Sequence, residues 1–182
     1  MKFAVLGAGN GGQAIAGWLA MQGHEVWLYE IVKDKVEILA KTRQIRLCGE
    51  IEGVGQLANV SMDVHATVKG ADVIMVVTTA NAHAMVARDI AGDLADGQIV
   101  ILNPGRTGGA LEFKRTLDAC GCKARVYVAE AQTLVYAARL VEDGVVNIIG
   151  VKDKVLLSAV PATDMSPPDI RSRCLAFHNE AG

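Results

Sequence analysis

The sequence predicts an α/β fold: a doubly wound, mainly parallel sheet with helices on both faces. Three observations predict it. Residues 1–30 read as strand, glycine-rich turn, helix and second strand. Short apolar runs recur further on, at Val73 to Val77 and Gln98 to Leu102, with helical stretches between them. The core must also be aliphatic, because 51% of the residues are apolar and only 4% aromatic. Strands buried on both faces have that composition.

The same composition bounds the function. A net charge of -2 without a basic cluster argues against nucleic acid or an anionic membrane as the main partner. No apolar run approaches the about 18 residues of a membrane span. The N-terminal strand runs into a glycine turn and not into a small-residue cleavage site, so the reading is a soluble, cytoplasmic protein. The four cysteines, Cys48, Cys120, Cys122 and Cys174, form no C-x-x-C pair, and no histidine lies near Cys120-Gly121-Cys122. Reduced thiols and no metal site are expected.

In chain order, Lys2 to Leu6 is a buried strand that breaks into Gly7-Ala8-Gly9-Asn10-Gly11-Gly12. A helix is predicted from Gln13 to Gln22, with Gly23 as its left-handed terminator, and a second strand from Glu25 to Tyr29, ending on Glu30. Such a strand-helix-strand unit gives Gly7-x-Gly9-x-x-Gly12 a Rossmann-type meaning. Gly7 permits the tight turn, Gly9 lets backbone approach a pyrophosphate, and Gly12 lets the helix pack closely on the strand. The helix start presents amide N–H groups and a positive dipole end to phosphate, and Glu30 can accept both hydroxyls of an adenine ribose. The competing reading is a glycine turn that binds nothing.

Val32 to Thr42 has the pattern of an amphipathic helix, and Ile45 to Leu57, broken by glycines, reads as short strands at the edge of the sheet. Asp63 to Lys69 is a short helix. The strand Val73 to Val77 ends on Thr78-Thr79-Ala80-Asn81, at the carboxyl end where ligands bind in open parallel sheets. Ala82 to Leu94 is the next helix; its His83 either lines the cleft or lies on the surface. Gln98 to Leu102 leads to Asn103-Pro104-Gly105-Arg106-Thr107-Gly108-Gly109 before a helix from Ala110 to Ala119. That helix start can hold an anion, and Arg106 offers a planar fork suited to a carboxylate or phosphate; a solvated surface turn is the alternative. Ala124 to Ala129 is a further strand with Glu130-Ala131-Gln132-Thr133 at its end. Val145 to Val151 and Lys154 to Val160 are strands joined by a turn at Lys152-Asp153. The dinucleotide-binding domain is placed at residues 1–165, with residues 166–182 a terminal segment or the start of a helical substrate domain.

Three stretches resemble the N-terminal domain of the octopine/nopaline (opine) dehydrogenase family: Gly7 to Ala14, Asn103 to Phe113 and Ala129 to Leu134, with weaker support from Ala71 to Ile74 and Pro161 to Asp164. The resemblance implies reductive condensation of an amino acid with a 2-oxo acid, using a reduced nicotinamide cofactor. It places Gly7, Ala8, Gly9, Asn10, Gly11 and Gly12 on the pyrophosphate and Glu30 on the adenosine ribose. Thr78, Thr79, Ala80, Asn81, Asn103, Pro104 and Gly105 would flank the nicotinamide half. Arg106, Gln132 and Thr133 fall on the substrate side. Glu30 favours NAD; Lys33 and Lys35 keep NADP open.

Family members carry a second, mostly helical domain with the proton-transferring histidine. None of the four histidines here stands in that role, so no catalytic residue is assigned. The chain is expected to be an isolated domain, a truncated product or half of a split enzyme. A helix Gln13 to Gln22 that is apolar on nearly every side, with a mean hydropathy of +0.28, predicts a homodimer partner or another covering chain. The alternatives are a glycerol-3-phosphate dehydrogenase or ketopantoate reductase type of enzyme, against which the Asn103 to Phe113 run argues, and a non-catalytic dinucleotide-sensing module.

Overall fold

The computed structural model describes residues 1–105 and 108–161. Arg106, residues 162–164 of the resemblance and the domain boundary at residue 165 lie outside the described residues.

The chain runs β1 (Lys2–Leu6), α1 (Asn10–Met21), β2 (Glu25–Tyr29), α2 (Lys33–Thr42), β3 (Gln44–Gly49), β4 (Gly53–Gln56), β5 (Asn59–Ser61), α3 (Val64–Val68) and β6 (Val73–Val76). A short 3-10 turn (Ala80–Ala82), α4 (His83–Ile90), β7 (Ile99–Leu102), α5 (Gly109–Ala119), β8 (Tyr127–Ala131), β9 (Tyr136–Glu142), β10 (Val145–Val151) and β11 (Leu157–Val160) follow.

Seven strands form one sheet in the order β11-β8-β7-β6-β1-β2-β5, all parallel except β11. Alternation along the strands explains why both faces are covered. Phe3, Val5 and Met75 point to one face, where Ile15 and Leu19 of α1 pack; Ala4, Leu6, Ile74 and Val76 point to the other, against α3, α4 and α5. Strand order reverses between β1 and β6, whose last residues Leu6 and Val76 are register partners. Above that switch point, where neighbouring connections leave in opposite directions, a crevice opens.

Several expectations change. Residues 45–57 do not edge the large sheet. They form β3 and β4 of a separate four-stranded sheet, ordered β4-β3-β10-β9, with Val145 of β10 opposite Arg46 of β3. This second sheet lies over α1 and carries Ile45, Leu47, Tyr136 and Ile148 into the same core as Ile15 and Leu19. The all-round apolar character of α1 is thus answered by the chain's own second sheet, and gives no argument for a covering partner. The closeness is allowed by two glycines: a Cβ on Gly17 would lie 2.9 Å from Ile45 Cγ2, and one on Gly55 would run into the Gly17 carbonyl.

Lys152-Asp153 does not join paired strands, since β10 and β11 belong to different sheets. The strand expected at 124–129 is shifted to Tyr127–Ala131, which takes Glu130 into β8. The helix expected from Ala82 to Leu94 spans His83–Ile90 after the 3-10 turn. Among the described residues no helix is long and apolar enough to cross a membrane.

Candidate functional site

The α1 helix starts at Asn10, inside the glycine motif and three residues before the expected start. Gly7 has φ +106° and Gly12 sits against the Gly7 carbonyl, so these two glycines are required by the turn and by helix packing. Gly9 is required by neither. Its φ of -79° suits any residue, and a Cβ there would meet nothing within 4 Å. It faces empty space at the start of a helix that has no side-chain cap and no acidic residue in its first turn. By contrast, Asp63 caps α3 by accepting the Ala66 N–H at 3.0 Å, whereas α4, like α1, starts with neither a side-chain cap nor an acidic residue in its first turn. At α1 the orphan N–H groups and the positive dipole end are left for an anion from outside.

Gly7, Ala8, Gly9, Glu30, Thr78 and Thr79 line one cleft of about 240 Å³, so the structure brings six of the predicted cofactor residues together there, while Asn10, Gly11, Gly12, Ala80, Asn81, Asn103, Pro104 and Gly105 do not line it. Tyr29, Val64, Met85 and Asp89, which residue patterns did not single out, also line it. Burial, then Asp89 and Glu30, raise the Tyr29 phenol above its usual range, so it stays protonated at neutral pH. Ala80 and Asn81 lie exposed in the 3-10 turn.

Glu30 is buried, and backbone holds its carboxylate. Oε2 accepts the Ala8 N–H at 2.9 Å, and Oε1 accepts the N–H groups of Ile31 at 2.8 Å and Val32 at 3.1 Å. An ionised carboxylate offers roughly four acceptor sites, which leaves room for about one further donor, not the two expected.

The loop after β7 departs most from expectation. The anion position at the α5 start is taken by the chain's own Glu130, whose Oε2 accepts the Ala110 N–H at 2.8 Å. Gly105 is glycine because a Cβ there would collide with Glu130. Asn103 turns inward, donating to the Ile101 carbonyl at 2.9 Å, and lines an apolar cavity with Trp18 and Tyr136 on the α1 face of the sheet. Thr133 Oγ1 accepts Lys152 Nζ at 2.8 Å, and the neighbouring Gln132 side chain is exposed, at the link from the large sheet to the small one.

His83 is neither on the surface nor among the residues lining the cleft. It is fully buried beside Gly109, and among the described residues neither ring nitrogen has a hydrogen-bond partner, nor does the Thr78 hydroxyl. Burial is the largest cause holding its imidazole below the usual range, opposed by Glu112, Glu130 and the Thr78 backbone. The unfolded chain takes up this proton near pH 6.5 while the folded chain does not. The stability His83 contributes is therefore present above that pH and lost as pH falls from there through the folded value. In urea melts, His83→Leu should flatten the loss of stability below pH 6.5. An unchanged acid slope would place the titration elsewhere; His24, lowered by burial and then by the N-terminus, adds a slope of the same sign in both proteins.

Residues 2–106 match the family described as NAD-dependent glycerol-3-phosphate dehydrogenase N-terminus. An opine dehydrogenase of Arthrobacter sp. is 35% identical over 161 residues, which cover 88% of this chain and 45% of that one. A glycerol-3-phosphate dehydrogenase of Brucella canis is 39% identical over 82 residues, covering 44% of this chain and 25% of that one. Among solved structures, octopine dehydrogenase with NADH and L-arginine superposes with a TM-score of 0.83 at 21% identity, over 99% of this chain and 47% of that one. A PanE/ApbA family ketopantoate reductase from Ralstonia eutropha superposes at 0.66 with 25% identity, over 87% and 49%. The chain thus spans about half the length, or less, of these relatives.

Proposed function

The chain belongs to the family of NAD-dependent glycerol-3-phosphate dehydrogenase N-termini, and from that premise we propose that it is the dinucleotide-binding part of an opine-dehydrogenase-type oxidoreductase. The observation that carries the choice within the family is the reach of the likeness. Similarity to the opine dehydrogenase covers 88% of the chain, through β7, α5 and β8, whereas that to the glycerol-3-phosphate dehydrogenase covers 44%. The substrates implied are an amino acid and a 2-oxo acid, joined through a C–N bond. A bound nicotinamide supplies the hydride for that reduction.

The chain's own residues bind and orient. The N–H groups at the start of α1 would hold the pyrophosphate, and Glu30 would use its remaining acceptor site on one ribose hydroxyl. The same carboxylate repels a 2′-phosphate. Of the nearby lysines, Lys33 pairs with Glu37 at 3.5 Å on an exposed face of α2, and Lys35 reaches toward the Ala8 carbonyl and Asp143. NAD is therefore the preferred cofactor. Arg106, Gln132 and Thr133 remain the proposed substrate side, and residues 1–165 the proposed domain. A homodimer or a helical partner domain would complete the proposed enzyme.

Calorimetric titration tests the reading. NADH should bind at least about tenfold more tightly than NADPH; tighter NADPH binding would refute the role of Glu30. Oxidation of NADH by the 182-residue chain with amino acid plus pyruvate reads whether these residues suffice for turnover. Absence of NADH binding would overturn the proposal.

A further inference from the structure

One residue of the glycine turn has both of its backbone polar groups held from outside the turn. Ala8 donates its N–H to Glu30, and its carbonyl accepts Gln13 Nε2 at 3.0 Å and Lys35 Nζ at 3.5 Å. Gln13 is fully buried, and its amide is shared. Nε2 also donates to Asp143 Oδ1 at 2.9 Å, and Oε1 accepts the Gly144 N–H at 2.9 Å. Lys35 lies 4.0 Å from the same Asp143 oxygen. A second tie runs alongside, with Asn10 Oδ1 accepting the Leu140 N–H at 2.8 Å.

Asp143 and Gly144 form the turn between β9 and β10, and neither lines the cleft. Their influence passes through one peptide plane. The Ala8 carbonyl and the Gly9 N–H belong to the same planar, trans unit, so they point in opposite directions. Drawing the carbonyl toward Gln13 and Lys35 turns the Gly9 N–H away from the second sheet. The bonds of Gln13 thus fix the direction of a donor in the glycine turn.

We propose that the β9–β10 turn is a positioning element of the dinucleotide site, with Gln13 and Asp143 as positioning residues that set affinity for the pyrophosphate through the Ala8–Gly9 peptide. This rests on reading the cleft as a dinucleotide site. Coupling of this kind is reciprocal, so a ligand on the glycine turn should also quieten the hairpin.

The test compares NADH, which carries the pyrophosphate, with adenosine, which does not, using the full 182-residue chain. Asp143→Ala and Gln13→Met should each weaken NADH about tenfold and change adenosine by less than about twofold. Asp143→Asn keeps an Oδ1 acceptor for Gln13 and should stay within about threefold of the unsubstituted chain. Equal losses for the two ligands, or no loss for NADH, would overturn the proposal. A measurement without substitution guards against misfolded variants: adding NADH should slow amide exchange at Leu140 and Gly144 by about fivefold, and unchanged exchange would count as refutation. Failure of the unsubstituted chain to bind NADH overturns the underlying reading, and the proposal with it.

Discussion

Gly12→Ala is expected to destabilise the chain by about 2 kcal/mol and to lower its melting temperature by roughly 6 °C. Two effects oppose each other at this site. Alanine is the better helix former by about 1 kcal/mol, and Gly12 lies in the first turn of α1. Against that, a Cβ there lies 2.9 Å from the Gly7 carbonyl carbon and closer still to its oxygen. Both colliding groups are backbone, so no side chain can rotate away, and α1 must lift from β1. Overpacking of this kind costs about 1–3 kcal/mol and occasionally more, which outweighs the propensity gain. NADH binding should fall with stability, because the lifted helix no longer aims its N–H groups at Gly9. A melt showing equal or higher stability would mean that α1 does not pack on Gly7 as described.

The unit containing Gly12 was legible because its information is local. Strand, glycine turn, helix, strand and Glu30 follow one another within residues 2–30, and each residue's role depends on near neighbours. Strands β6 and β7 were legible for a similar reason, as continuous apolar runs buried on both faces. The second sheet was not. Its β3 and β4 are short and glycine-rich, and β3 is completed by β10, which arrives about 100 residues later at Val145 opposite Arg46. One signal was available: Asp143-Gly144 between two apolar runs is the dipeptide of a tight hairpin turn, and Gly144 has φ +91°. Glu130 was read as polar material at a strand end, because nothing in its neighbourhood reveals that it caps α5 from another strand. His83 illustrates the limit of residue type, since the same imidazole reads as surface or cleft until burial excludes both.

Gly9→Asp should separate binding from folding by moving them in opposite directions. Aspartate is among the best N-cap residues, and Gly9 is the uncapped N-cap of α1 in an extended conformation that aspartate adopts without strain. Its carboxylate would accept an N–H of the first turn and sit at the positive end of the dipole, raising stability by about 0.5 kcal/mol. No atom stands within 4 Å of the new Cβ to resist it. The same carboxylate fills the space the proposed pyrophosphate needs, satisfies the donors it would use, and adds a like charge at close range. NADH affinity should drop at least about a hundredfold, some 2.8 kcal/mol. Gly9→Ala, which adds a methyl group but no cap or charge, should lose much less. Unaltered NADH binding by Gly9→Asp would show that the anion does not sit at the α1 start. A fall in stability matching the fall in binding would show that Gly9, like Gly12, is glycine for the sake of the fold.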